Sequence, residues 1–184
     1  MKILGISGSL RAESFNTRLL KAACELIREE GVVFEIHEIA RIPLYNSDLD
    51  GGTKPEPVVD LIDAITGADG VLFATPEYNY SISGVLKNAI DWASRPAFNS
   101  CLTRKPCAVL SASMSTLGGA RAQVHLRDIL LGTLSPIYLA PDFLLASAHN
   151  AFDANGALVD QKTMDFLKQY LHGYISWLKS RKNA

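Results

Sequence analysis

The chain has 184 residues, of which 48% are hydrophobic, 20% charged and 8% aromatic. That balance fits one folded domain spanning residues 1–184 and excludes a disordered, collagen-like or disulfide-stapled chain. Lys and Arg number 18 and Asp and Glu 19, leaving a formal net charge of −1, so no accumulated basic charge supports a nucleic acid or an anionic membrane as partner. Cys24, Cys101 and Cys107 form no CxxC pair and have no His at metal-ligand spacing. They read as reduced, mostly buried thiols with no metal site. Met1 runs straight into Lys2–Ile6 without the long apolar region of a signal peptide, and no apolar run approaches the roughly 20 residues of a membrane span. The expected compartment is the cytoplasm.

In chain order, short β-rich runs alternate with loops and longer segments of helical spacing. Lys2–Ile6 reads as the first strand, and 16–30 as a helix whose Leu19, Leu20, Ala23, Leu26 and Ile27 share one face before Gly31 stops it. Val32–His37 is the second strand, 41–57 an irregular loop long enough to carry function, and 58–66 a short helix. Gly70–Thr75 does not alternate apolar with polar residues, which predicts a strand buried on both faces, ended by Pro76. A helix follows over 82–93, with Lys87 and Asp91 spaced for an i,i+4 pair. Pro106–Ser113 reads as a strand, 119–131 as a helix and Pro136–Leu139 as a short last strand. Met164, Leu167, Leu171, Ile175 and Leu178 mark a closing helix. Five strands alternating with helices predict an α/β fold, a doubly wound parallel sheet with helices on both faces.

Ligands of such sheets bind beyond the carboxyl ends of the strands, where strand order reverses. The loop after the first strand, Ser7 to Asn16, gathers hydroxyls, an amide, the Arg11 guanidinium and the free N–H groups of a helix start, which is the chemistry a phosphate needs. Helix capping by Ser14 or Asn16 accounts for one of these groups but not for Ser9 and Arg11. No G-x-G-x-x-G fingerprint, no Gly-Lys pair and no strand-end Cys ahead of an Arg occurs here. The loop therefore looks built to hold a phosphomonoester and leave it intact. The second loop, Thr75 to Gly84, offers Tyr78, Asn79 and Tyr80 beside Pro76, a set suited to a flat heteroaromatic ring and equally to a Pro-initiated turn. The third, Ser111 to Gly119, is small and Gly-rich, which allows close backbone approach.

Gly8-Ser9-Leu10-Arg11 with Ser14 and Asn16, Pro76-Glu77-Tyr78-Asn79-Tyr80 with Gly84 to Trp92, and Gly118-Gly119-Ala120-Arg121 resemble the NADPH-dependent FMN reductase family, over about residues 2 to 145. Within it the branch of bacterial quinone and chromate reductases is the most similar. The resemblance implies a flavodoxin-like fold with strand order 2-1-3-4-5 and non-covalent FMN. By carry-over, Ser9, Arg11, Ser14 and Asn16 hold the phosphate, Pro76, Glu77, Tyr78, Asn79 and Tyr80 border the isoalloxazine ring, and Ser113 and Gly118 lie along its other edge. Ser83 stands where the family often has Pro.

The activity so implied is an NAD(P)H oxidoreductase: NADPH or NADH passes a hydride to bound FMN, leaves, and a quinone then takes two electrons from the same face. Free flavin, azo compounds and metal oxyanions are further acceptors, and no side-chain acid or base is required. A homodimer or homotetramer is implied, with 41–57 and the Trp92 helix expected at an interface. His37, His125, His149 and His172 are too scattered for a metal site or a Ser-His-Asp arrangement, and Glu77 is expected to cap or salt-bridge the helix that follows it. A flavodoxin-type FMN electron carrier and a non-redox nucleotide-binding α/β domain are the alternatives. The carrier fits poorly, because such carriers are usually strongly acidic.

Overall fold

Strands that are apolar on both faces require helices on both sides, and the computed structural model, which describes residues 1–182, supplies them. Parallel strands β1 (Lys2–Ser7), β2 (Val33–His37), β3 (Gly70–Thr75), β4 (Cys107–Ala112) and β5 (Phe143–Leu145) lie in the order β2-β1-β3-β4-β5. They alternate with α1 (Phe15–Leu26), α2 (Glu56–Gly67), α3 (Gly84–Ala93), α4 (Ala120–Gly132) and α5 (Gln161–Lys182). This is the flavodoxin-like doubly wound sheet that the sequence predicts, with its switch point between β1 and β3.

The pleat divides the strand side chains between two cores. Ile3, Leu72, Ala74, Ala108 and Leu110 face α1 and α5, where Leu19, Leu20, Leu171, Tyr174 and Leu178 meet them. Leu4, Ile6, Val71, Phe73 and Val109 face α2, α3 and α4, where Leu61, Leu86, Trp92 and Leu126 close over them. Each fully buried Leu or Ile contributes on the order of 1.5–3 kcal/mol by leaving water. Register pairs Ser7 with Ala74 and Thr75 with Ser111. The loops after β1, β3 and β4 therefore leave the sheet at one level, and the site stands there.

Helix α1 begins where Ser14 Oγ accepts from Thr17 N at 3.3 Å, and its coil ends after the turn Arg28–Glu30 at Gly31, whose φ of 67° suits a residue without Cβ. Lys87 Nζ reaches Asp91 at 2.7 Å, the pair expected from spacing. Trp92 is fully buried, and its Nε1 donates to Pro43 O at 2.8 Å. Asn88 binds the same loop, donating to Pro43 O and accepting from Tyr45 N, so segment 41–57 folds onto α3 of its own chain. No helix among the described residues is long and apolar enough to cross a membrane.

The last strand differs from expectation. Pro136–Leu139 contributes a single bridge, Ile137 opposite Cys107, with Cys107 N donating to Pro136 O and Tyr138 N to Cys107 O, each at 2.8 Å. The chain then leaves the sheet through Leu139–Asp142, where Pro141 has no N–H to give a ladder. It resumes as β5, Phe143–Leu145 opposite Leu110–Ala112.

Candidate functional site

At the carboxyl ends of β1, β3 and β4 a cleft of about 160 Å³ is lined by Ser9, Arg11, Ser14, Phe15, Asn16, Pro76, Glu77, Tyr78, Ala112, Ser113 and Met114. One wall is the loop before α1. Ser9 N donates to Ser7 Oγ at 3.3 Å, Arg11 N to Ser9 Oγ at 3.4 Å and Ser14 N to Arg11 O at 3.0 Å, so the loop coils on itself. The amides of Leu10, Ala12 and Glu13 donate to nothing among the described residues. Arg11 lies exposed over the Phe15 ring, 5.2 Å from its centroid, and donates to Glu13 O at 2.7 Å. A guanidinium, loop amides and the start of α1 together form an anion cradle.

Gly8 holds this loop against the next. Its N–H donates to Ala74 O at 2.8 Å, its carbonyl accepts from Ser83 Oγ at 2.5 Å, and a Cβ there would sit 3.1 Å from Pro76 Cδ. Ser83, which stands where the resemblance leads one to expect Pro, both caps α3 by accepting from Leu86 N at 3.3 Å and ties that helix to the loop before α1. A proline could do neither.

The second wall is a two-residue hairpin. Tyr78 N donates to Ser81 O at 2.9 Å and Ser81 N returns to Tyr78 O at 3.0 Å, with Asn79 and Tyr80 both at positive φ, 50° and 66°. Those angles mark the type I′ turn, which is uncommon for a tyrosine and stores strain of the order of 1–2 kcal/mol. The Arg121 guanidinium lies 4.1 Å above the Tyr80 ring, and His125 Nδ1 stands 3.1 Å from Ser81 Oγ. The turn leaves Tyr78 and Tyr80 more than half exposed at the cleft's rim.

Glu77 does not serve the helix that follows it in sequence. Its Oε2 accepts from Arg121 N at 3.0 Å and Ala122 N at 3.3 Å, capping α4 from outside the helix. The residue at that helix's own N-cap position is Gly119, which has no side chain to offer. The carboxylate thus fixes the hairpin to the third loop and complements the positive end of α4.

The third loop is set by a buried polar chain. Ser111 Oγ donates to Gly118 O at 2.6 Å and accepts from Gln123 Nε2 at 2.8 Å, and Gln123 also donates to Phe143 O at 2.7 Å. Arg127 bonds Gln123 Oε1 at 2.9 Å and Asp142 at 2.6 Å. Ser113 turns toward the cleft, its Oγ accepting from Ser115 N at 3.1 Å.

Of the residues expected at the ligand, the cleft brings together Ser9, Arg11, Ser14, Asn16, Pro76, Glu77, Tyr78 and Ser113. Asn79 and Tyr80 form the hairpin tip instead. Gly118 is buried away from the cleft, where a Cβ would meet Leu144 Cβ at 3.0 Å and Ala146 N at 3.1 Å. Asn16 lies at the cleft, but its carboxamide is turned to Ala112, donating to the carbonyl at 3.0 Å and accepting from the amide at 2.9 Å. Its backbone N–H in the first turn of α1 is what remains for a ligand. Phe15, Ala112 and Met114 are the lining residues that sequence reasoning missed. Phe15 had one signal, an aromatic between two cations, and both Arg11 and Arg18 now flank its ring.

An anion cradle facing a tyrosine hairpin across a switch point defines a flavodoxin-type protein for a ligand with a phosphate at one end and a flat ring at the other. The chain belongs to the NADPH-dependent FMN reductase family, whose profile matches residues 1–150, and is an oxidoreductase. It is 45% identical to an NAD(P)H-dependent FMN reductase of Pseudomonas aeruginosa over 97% of this chain and 96% of that one. An NADPH:quinone oxidoreductase of Arabidopsis thaliana is 43% identical over 93% and 88% of the two chains. Among solved structures, the flavoenzyme NAD(P)H:(acceptor) oxidoreductase FerB of Paracoccus denitrificans superposes with a TM-score of 0.88 at 36% identity, covering 97% of each chain. The donor set of the cleft suits FMN, the cofactor of the family: cationic and amide donors for its phosphate at one end, aromatic and small residues for its ring at the other.

Proposed function

We propose that this chain, as a single FMN-binding domain, is an NAD(P)H-dependent quinone reductase working by a ping-pong cycle. FMN, when bound, supplies the redox chemistry, taking two electrons from NAD(P)H and returning them to an acceptor. The observation that carries the reading is that Ser9, Arg11 and Ser14 share one cleft with Pro76, Glu77, Tyr78 and Ser113, where Tyr78 and Met114 are more than half exposed.

Arg11, the Ser9 and Ser14 hydroxyls and the loop amides hold the phosphate, together with the Asn16 backbone N–H. Pro76 and Tyr78 border the ring, Ser113 supports its other edge, and the Asn79-Tyr80 turn fixes where the Tyr78 ring stands. Nicotinamide and quinone use the same exposed face of the ring, so the nicotinamide leaves before the quinone enters. Free flavin, azo compounds or metal oxyanions enter the same way as alternative acceptors. More than half exposed, Tyr78, Tyr80 and Met114 offer apolar surface that a second copy in a homodimer or homotetramer would cover. The free thiols Cys24, Cys101 and Cys107 fit a reducing, cytoplasmic setting.

The test is a visible spectrum of the purified protein followed by initial-rate kinetics with NADPH and a benzoquinone. A bound flavin spectrum and parallel double-reciprocal lines are expected. A protein that takes up no FMN, or lines that intersect, would count against the reading.

A further inference from the structure

The larger hollow in the molecule is not the FMN cleft. A crevice of about 380 Å³ lies on the other side of the phosphate loop, between the carboxyl ends of β1 and β2. That volume falls within the roughly 300–1,000 Å³ usual for small-molecule sites. Nothing in the proposed reaction uses it. Ser9 and Arg11 line both hollows, so the two are separated by a pair of side chains on one loop.

The lining has three kinds of chemistry in sequence. Besides Arg11 the crevice is lined by Lys21, exposed on α1 and free of ion pairs among the described residues, so a second cation faces the same hollow. Exposed Leu10 and half-buried Ile36 supply the apolar surface for a flat base, with buried Ile39 behind them. At the end of β2, Glu38 offers an exposed carboxylate that no described cation pairs with. In dinucleotide-binding Rossmann domains an acidic residue about 20 residues after the glycine-rich turn hydrogen-bonds the ribose hydroxyl, and Glu38 offers the same chemistry here. Deeper in, Thr17 Oγ1 and Ser7 Oγ satisfy each other at 2.8 Å. Half-buried His37 is held neutral, its pKa lowered chiefly by burial against the opposing pull of Asp60 and Glu38, so it adds no charge to the floor.

We infer that this crevice is a nucleoside subsite, through which the protein holds flavin adenine dinucleotide as well as FMN, with the adenosine between β1 and β2. The inference rests on the phosphate assignment made above. The flavin phosphate stays in the Ser9–Ser14 loop, the second phosphate passes Arg11 toward Lys21, the base lies on Leu10 and Ile36, and the ribose meets Glu38. A dinucleotide needs both hollows and the strip between them, whereas FMN needs only the first.

The test is fluorescence titration of flavin-stripped protein with FMN and with FAD, using the full chain, Lys21→Glu and Ala40→Trp. Ala40 is exposed on the crevice wall, so a tryptophan there fills the hollow without entering either core. The unaltered protein is expected to bind both flavins, and AMP to compete with FAD but not with FMN. Each variant should weaken FAD by about tenfold or more, the size of one charge-assisted contact, while FMN stays within about twofold. FMN binding without FAD binding overturns the inference alone, as does an FAD to FMN affinity ratio unchanged in both variants. Failure to bind either flavin overturns the phosphate assignment itself, and AMP that displaces FMN would place the nucleoside in the wrong hollow.

Discussion

The Asn16 carboxamide closes on the backbone of Ala112, Nδ2 giving a hydrogen bond to its carbonyl at 3.0 Å and Oδ1 taking one from its amide at 2.9 Å. The pair is buried and joins the first turn of α1 to the last residue of β4, across the head of the cleft. Asn16→Ala removes both bonds and strands a buried peptide unit, so it should cost about 2–4 kcal/mol in urea unfolding. Asn16→Asp should be at least as damaging, since its carboxylate would face the Ala112 carbonyl. A loss under about 0.5 kcal/mol would show that water replaces the clamp.

Arg11 has no structural duty of that size. It is exposed, and its one side-chain hydrogen bond is local, to Glu13 O. Arg11→Ala should therefore leave the melting temperature of the flavin-free protein nearly unchanged and weaken FMN by about 1.5–3 kcal/mol, the range of a charge-assisted bond. Isothermal titration separates the two readouts. Equal FMN affinity in the variant would remove Arg11 from the phosphate site.

The difference between Asn16 and Arg11 bears on what could be read in advance. Strand β3 was legible because six successive small or apolar residues end at a proline, and all six are buried. The start of α1 was legible because capping and anion binding use the same local residue types. The Asn16 side chain's role as a clamp was hidden for the same reason: its partner lies 96 residues away, and nothing local distinguishes a cap, a ligand and a clamp. Glu77 likewise reaches 44 residues forward to α4. Strand β5 escaped because three residues, Phe143–Leu145, are too few to display a period. The Tyr78–Ser81 hairpin escaped because Tyr80 holds the position where Gly is the usual sign of such a turn.

Glu77→Ala should cost about 0.5–2 kcal/mol, the usual range for an N-cap, because the amides of Arg121 and Ala122 lose their acceptor. Glu77→Gln retains an acceptor oxygen and should recover most of that loss, giving up only the loose ion pair with Arg121 at 3.8 Å. Thermal melts of the two variants side by side decide it. If Gln is as damaging as Ala, charge and not capping is what Glu77 contributes.

Gly119 and Gly84 make a controlled pair. At Gly119 φ is +90°, and a Cβ would lie 2.7 Å from Ser111 Cβ and 2.9 Å from its Oγ, the hydroxyl that holds Gly118. Gly119→Ala should cost roughly 2–4 kcal/mol from left-handed strain and displacement of that hydroxyl. At Gly84 a Cβ meets nothing within 4 Å, and the residue is the first of α3. Gly84→Ala should be neutral or stabilising by up to about 1 kcal/mol. Equal effects at the two sites in urea unfolding would contradict the packing described for the third loop.

Two thiols, buried Cys107 and half-buried Cys101, set an alkaline limit on stability. Burial pushes the Cys107 thiol up to about 12 and the Cys101 thiol to about 11, the nearby Lys105 cation only partly opposing it. Lys105 Nζ is itself tied to Thr66 O at 3.2 Å and Ala68 O at 2.5 Å. A thiol raised in the folded state keeps its proton where the unfolded chain releases it. Its contribution is complete below the unfolded pKa and is lost as pH rises through about 9 toward 11, by up to roughly 1.4 kcal/mol per pH unit for each thiol. Urea midpoints should accordingly fall from pH 9 to 10.5, and Cys107→Ala should flatten that fall while costing stability at pH 7. The same protonation makes both thiols poor nucleophiles, so iodoacetamide at pH 8 should leave Cys101 and Cys107 unmodified in the folded protein and label both in denaturant. Mass spectrometry of the digested product reads this directly, and alkylation of Cys107 in the native state would show that β4 opens far more often than its burial implies.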